Sequence, residues 1–258
     1  PEKLIAAVRT WVEEDATLNR PITRADFLAF AQEKGFEVKQ YEVDQAMPGR
    51  LSGATASYDA SYASIGAGLF RIPRTETDRL VAALLNEPSS KTVALVGSAG
   101  SGKSVIIRDA IERIAARNHL QLAFRVDQVG EPASLAQLGT AVIDVADSPA
   151  IVLERLSGNR PSVLYIDQAD AVSQMSGRSA QVRRQLIDLV NQARSYPNIR
   201  LVFSCRTFDI ENDQLFSEIA ERKDTLRIDV ASLDWERDVV PVLQRLEISI
   251  NPDSQKIR

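Results

Sequence analysis

At 258 residues, 44% of them hydrophobic and 26% charged, the chain can bury a sizeable core and has none of the biases of a disordered, collagenous or disulfide-stapled protein. Its 31 Lys and Arg against 35 Asp and Glu leave a net charge of -4, which excludes a general attraction to nucleic acid or to anionic membrane and leaves only a local basic patch open. Cys205 is the single cysteine, so no intrachain disulfide forms; no run approaches the roughly 20 apolar residues of a membrane span and no signal-peptide pattern opens the chain, so the cytoplasm is the expected compartment.

Residues 1–46 are expected to form a small helical appendage. Leu4, Val8, Trp11 and Val12 make one stripe, and after Pro21 a Thr23-x-x-Asp26 start introduces Phe27, Phe30 and Ala31 before Gly35 stops a second helix. A DNA-reading helix-turn-helix is the sharper alternative, but the second helix carries Asp26, Glu33 and Lys34 rather than a basic face, so packing or linking is the expectation. Residues 47–68 are rich in Gly, Ala and Ser, with Tyr58 and Tyr62, and predict a linker that bends round a domain spanning 69–258. The chain starts at Pro1 and stops at Arg258 without a helix cap, so that domain is expected to be cut short at its carboxyl end.

Leu69 to Arg74 precedes Leu80, Val81, Leu84 and Leu85 on one helical face. Within this apolar-Pro-Arg entry, either Ile72 and Arg74 lie against an adenine ring, or Ile72 and Pro73 simply cover the sheet edge; both readings fit. The stretch that organises the rest follows. Val93 to Val96 is a buried strand, Gly97-x-x-x-x-Gly102-Lys103-Ser104 is a phosphate-binding loop, and Val105, Ile106, Ile107, Ala110, Ile111 and Ile114 continue as a helix. Glycines at 97, 100 and 102 let the backbone turn N–H groups of Ser98, Ala99, Ser101 and their neighbours inward, where they and the positive helix end receive phosphate oxygens. Lys103 is expected to reach the β- and γ-phosphates, Ser104 to ligate magnesium, and Val105 to line the same site. No Asn-Lys-x-Asp strand end occurs to select guanine, so ATP is the expected nucleotide.

Leu122 to Val126 predicts a second strand, with helices over Ala133–Val145 and Pro149–Leu156; His119 stands alone and has no metal-ligand company. Val163 to Ile166 is a strand ending in Asp167, an acid placed to hold the water shell of magnesium beside the loop. Asp170, three residues on, either orients and deprotonates the attacking water or caps a helix. Residues 178–195 form the longest polar helix, with Val182, Leu186, Leu189 and Val190 inward and Arg183, Arg184 and Arg194 on a solvated face. Ile199 to Cys205 is the next strand and delivers Arg206 to the same sheet edge, where it either reads a γ-phosphate or pairs with Asp209 or Glu211. A strand near 225–230 and a helix over Asp234–Leu246, with Pro241 near its start or kinking it, complete the pattern.

The motifs GSAGSGKS, VLYIDQAD and RLVFSCRTFD together resemble the STAND class of signalling ATPases, which includes NACHT-type domains, within the AAA-like half of the phosphate-loop NTPases; the similarity covers roughly residues 69–250. The paired acids Asp167 and Asp170 and the strand ending Ser-Cys-Arg206 carry most of it, and the stretch from Ile166 through Asp213 looks like bacterial members, several of which act in defence against phage. The resemblance implies an α/β three-layer domain with a five-stranded parallel sheet in the order 5-1-4-3-2. It implies a slow, ATP-Mg-dependent switch within a longer chain, bound to ATP or ADP and assembling through itself or other domains, with neither membrane nor nucleic acid indicated. Gln168 stands where AAA+ motors carry a catalytic Glu, and Ala171 where many NACHT domains have a second acid, so motor-like turnover is not expected. An AAA+ remodelling ATPase and a module that holds ADP permanently are the two rival readings.

Overall fold

The computed structural model describes residues 2–15, 24–36, 44–63, 72–86, 90–173 and 180–245. Pro21, Thr23, residues 64–71 and Leu246 onward, with the expectations attached to them, lie outside it. The chain divides into two units, Pro1–Asp44 and Gln45–Arg258. In the first, α1 (Glu2–Asp15) and α2 (Arg24–Glu33) meet through aromatic rings: Trp11 stacks on Phe30 at 4.6 Å between centroids and tilts against Phe27 at 6.4 Å. Helices form here as the apolar spacing predicts.

The second unit begins with a correction. The expected linker is instead α3, Met47–Ala63, a regular helix with Met47, Leu51 and Tyr58 buried. Positions 47, 51, 55, 58 and 62 fall at helical spacing, and the Ala, Gly and Ser residues between them let the helix lie close along the sheet. Thr55 shows how close: its Oγ1 accepts from the Ala123 N–H at 3.3 Å and lies within donating distance of the Gln121 carbonyl (3.2 Å) as well as its own helix's Leu51 carbonyl (3.1 Å), so a side chain meets the pairing groups of an edge strand.

After α4 (Thr75–Asn86) the chain alternates strand and helix: β1 (Thr92–Gly97), α5 (Lys103–Ala115), β2 (Leu120–Arg125), α6 (Leu135–Ile143), α7 (Pro149–Ser157), β3 (Ser162–Asp167), α8 (Ala180–Ser195), β4 (Ile199–Arg206), α9 (Thr207–Asn212), α10 (Gln214–Ala220), β5 (Thr225–Asp229) and α11 (Val240–Arg245). All five strands pair in parallel in the order β2-β3-β4-β1-β5, the expected 5-1-4-3-2 sheet read from the other edge. Continuous apolar runs mark strands buried on both faces. One face, with Val93, Leu95, Val163, Tyr165, Val202 and Ile228, packs on α4, α5 and Tyr58. The alternate residues, among them Leu122, Leu164, Ile166, Leu201 and Phe203, are buried on the other face, where α7 and α8 contact the strands. The result is the three-layer α/β domain expected.

Two arginines expected on a solvated face are structural. Arg194 grips both oxygens of Asp224 at 2.6 and 2.7 Å and reaches Thr92 and Thr225, tying α8 to the amino-terminal ends of β1 and β5. Arg183 donates to Asp213 at 2.5 Å, a carboxylate with no exposed side-chain surface that also caps α10. Only Arg184 is exposed as expected. The last predicted helix opens with a π-helical turn, Trp235–Val239, before α11. Pro241 has no N–H to return to residue 237, so the regular helical ladder cannot extend back through this point. No described helix is long and apolar enough to cross a membrane.

Candidate functional site

Parallel pairing brings the carboxyl ends of four strands to one edge: Gly97 of β1 pairs with Arg206 of β4, and Arg125 of β2 with Asp167 of β3. Crevices at this edge are where open parallel sheets bind ligands. Here a cleft of about 290 Å³ gathers Gly100, Lys103, Ser104, Asp167, Asp170 and Arg206. A larger cavity, about 500 Å³, opens between α3, α5 and the start of β2 beside His119, but it has neither a glycine loop nor a strand-end acid.

The loop is built as the motif demands. Gly102 enters α5 at φ 96°, a conformation that strains any residue with a Cβ. Gly97 is required for a different reason: a Cβ there would lie 2.5 Å from the Val230 carbonyl and 2.7 Å from Ser101 Oγ. Ser98, Ala99 and Gly100 form the exposed tip, where Ser98 Oγ meets Ser232 Oγ at 3.1 Å, and Ser101 is buried beneath it. Ser104 and Val105 both border the cleft. Lys103 Nζ donates to the carbonyls of Gly97 and Ser98, both at 2.8 Å. Burial lowers its pKa, against the attraction of Asp170 and Asp167.

Arg74 stands beside the loop with its donors committed to the protein. It binds both oxygens of Glu76 (3.2 and 2.8 Å), the Ser101 carbonyl (3.2 Å) and the Ala231 carbonyl (2.6 Å). It braces the phosphate loop against the chain leaving β5. Ile72 is half-buried at the same entry.

Asp167 is fully buried and accepts four hydrogen bonds. Oδ1 takes the Gln168 N–H at 3.0 Å and the Ser204 hydroxyl; Oδ2 takes Tyr58 Oη at 3.0 Å and Tyr62 Oη at 2.7 Å. Gln168 sits in the left-handed region (φ 58°), which turns its N–H back to Asp167 and to Ser204 Oγ at 2.9 Å. Asp170 is 8% exposed, and its Oδ2 lies 2.9 Å from Nε of Arg206, which is 55% exposed. So Arg206 pairs with neither Asp209 nor Glu211 in the way considered from sequence: Asp209 instead accepts from Ser173 Oγ. The partner is Asp170. Burial raises the Asp170 carboxyl above the usual range, with Arg206 opposing the shift.

Sequence reasoning missed Tyr58, Tyr62, Ser204 and Arg125. Tyr62 lines the cleft with Arg125 at 4.9 Å and Arg108 at 6.0 Å over its ring, and packs edge-on to Tyr58 at 5.4 Å. Burial first and the Asp167 charge second push its phenol up to about 12, while Ser104 beside it pulls the other way. The signal that could have found both tyrosines is their helical spacing from Met47 and Leu51. Cys205, also at this edge, is buried, and burial pushes its thiol up, as expected for an inert cysteine.

Among the described residues no cluster of three His, Cys, Asp or Glu could hold a metal alone. A hydroxyl (Ser104) and one carboxylate (Asp167) beside a phosphate loop nevertheless fit magnesium, which keeps several waters and takes its other ligands from phosphates.

No protein-family model matches the chain, and no curated protein matches it significantly. Among solved structures it is similar to a DNA replication initiation factor (15% identity, TM-score 0.47, 71% of this chain and 56% of that one) and to AMPPCP-bound DnaA from Aquifex aeolicus (13%, 0.48, 73% and 56%). A third is a chain of the E. coli MS115-1 HORMA:CdnC:Trip13 complex (15%, 0.42, 81% and 70%). The chain thus spans little more than half the length of two of them. By its own topology and loop it is a phosphate-loop α/β fold.

Proposed function

We propose that the chain binds ATP with magnesium and hydrolyses it slowly, as the nucleotide switch of a larger STAND-type signalling or defence ATPase. The observation that carries the reading is one cleft holding a Gly97–Ser104 loop on α5, the strand-end acid Asp167, and the Asp170–Arg206 pair. Backbone N–H groups of the loop and Lys103 would hold the phosphates, Lys103 exchanging the carbonyls of Gly97 and Ser98 for phosphate oxygens. Ser104 and Asp167 would hold magnesium, which when bound neutralises phosphate charge. Asp170 would orient and deprotonate water, and Arg206, held at Nε, presents its terminal nitrogens to a γ-phosphate. Ile72, beside the exposed Pro73, would flank the base.

Slow turnover is supported by two features. Gln168 offers no carboxylate beside Asp167, and the one further acid in the cleft is held by Arg206. A switch of this kind acts by favouring one conformation or assembly over another, through contacts of this chain with itself or with other domains in the cytoplasm. Calorimetry of ATP with Lys103→Ala is the direct test. Binding should weaken at least about tenfold, since a charge-assisted contact of about 1.5–3 kcal/mol is lost; unchanged affinity in a folded variant would remove the assignment.

A further inference from the structure

The described surface offers three candidates: the large cavity beside His119, the exposed apolar side chains Phe208, Leu233 and Trp235, and the tyrosines on Asp167. Nothing shows what fills the first or covers the second. The third has a defined geometry and an opponent. Resting on the nucleotide reading above, we propose that Tyr62 is a built-in competitor for the metal position, so that magnesium-bound nucleotide loads only when its phenol leaves Asp167.

A carboxylate has about four lone-pair sites for acceptance, and on Asp167 all four are matched by protein donors. A metal-bound water needs one of them. Three of the donors are fixtures. The Gln168 N–H is the adjoining backbone, Ser204 is fully buried within β4, and Tyr58 is 3% exposed in the core. Tyr62 is different: it lies in the last turn of α3, half-buried, and its side chain borders the cleft. Its Oη donates to Asp167 Oδ2, and Ser104, the other group assigned to magnesium, lines the same cleft.

The ring has a prepared seat. Arg125 and Arg108 flank it, and each guanidinium is fixed by a carboxylate, Asp127 at 2.6 Å and Asp59 at 2.5 Å. The remainder of α3 is anchored by Leu51, Thr55 and Tyr58, so displacement concerns only the end of the helix.

A residue that orients Asp167 for metal would act in the opposite direction, so one measurement separates the two roles. Calorimetry or a fluorescent ATP analogue gives affinities with magnesium and with chelator for the wild-type chain, Tyr62→Phe and Tyr62→Ala. Phenylalanine keeps the ring in its seat and removes only the donor. The expected result is about tenfold tighter binding of magnesium-ATP in both variants, with magnesium-free ATP within about twofold of wild type, as follows from relieving a competing charged hydrogen bond. Equal ratios in wild type and variants would overturn the competitor while leaving nucleotide binding intact, and weaker magnesium-ATP binding would make Tyr62 a positioning residue. Absence of binding under both conditions in all three proteins would overturn the nucleotide reading and the competitor with it.

Discussion

The two edges of the sheet each carry an arginine on an aspartate, and the pairs are built differently. At the amino-terminal edge Arg194 meets Asp224 with two short bonds, is 13% exposed and also touches Thr92 and Thr225. At the carboxyl-terminal edge Arg206 approaches Asp170 with Nε at 2.9 Å and remains 55% exposed. A guanidinium whose two terminal nitrogens are both bonded, as in Arg194, is a strut; one approached at Nε leaves its terminal nitrogens available to an anion. Arg183 is structural in another way: one terminal nitrogen meets the fully buried Asp213, while its own buried Nε has no partner among the described residues. An Arg at a strand end is therefore judged by which of its donors are already used, which sequence does not record.

The largest expected effect comes from removing a buried carboxylate. Asp213→Ala should cost about 3 kcal/mol of stability, because it leaves Arg183 without its carboxylate in a largely buried place and uncaps α10; urea unfolding reads this, and ATP affinity of the folded fraction should stay within about twofold. Asp170→Asn keeps an acceptor for Arg206 but no base, so turnover should fall about a hundredfold, the lower end for general base catalysis, with binding unchanged. Parental turnover would make Asp170 structural.

Arg206→Ala should weaken a non-hydrolysable ATP analogue about tenfold and ADP hardly at all, since ADP has no γ-phosphate for the free arms. Equal losses for both nucleotides would place Arg206 among the struts. The smallest effect is on pH. Asp170 must be ionised to act as a base and its pKa is raised, so hydrolysis should fall as pH drops through that raised value. Arg206 opposes the rise, so in Arg206→Ala the acidic limb of the rate profile should move to higher pH. An unmoved limb would mean another group sets it.

The phosphate loop, the five strands and Asp167 were legible because each follows from a local pattern: glycines at fixed offsets, apolar runs of strand length, an acid ending one of them. What was not legible depends on partners distant in sequence. Arg194 and Asp224 are 30 residues apart, as are Arg183 and Asp213. Tyr62 and Asp167 are 105 apart. Met47–Ala63 was misread for a subtler reason: a helix that must lie close to a strand uses Ala, Gly and Ser, and so has the composition of a linker. Its helical spacing was present but marked by few large residues.

Thr55 has a consequence beyond the cleft. Its hydroxyl accepts from the Ala123 N–H and shares its one proton between the Gln121 and Leu51 carbonyls, pinning α3 over β2, an outermost strand of the sheet. An uncovered outer strand is a template for a further strand from another molecule. A chain trimmed to begin at residue 64 would leave β2 without α3 and should therefore self-associate even with its phosphate loop intact, which sedimentation against the untrimmed chain reads.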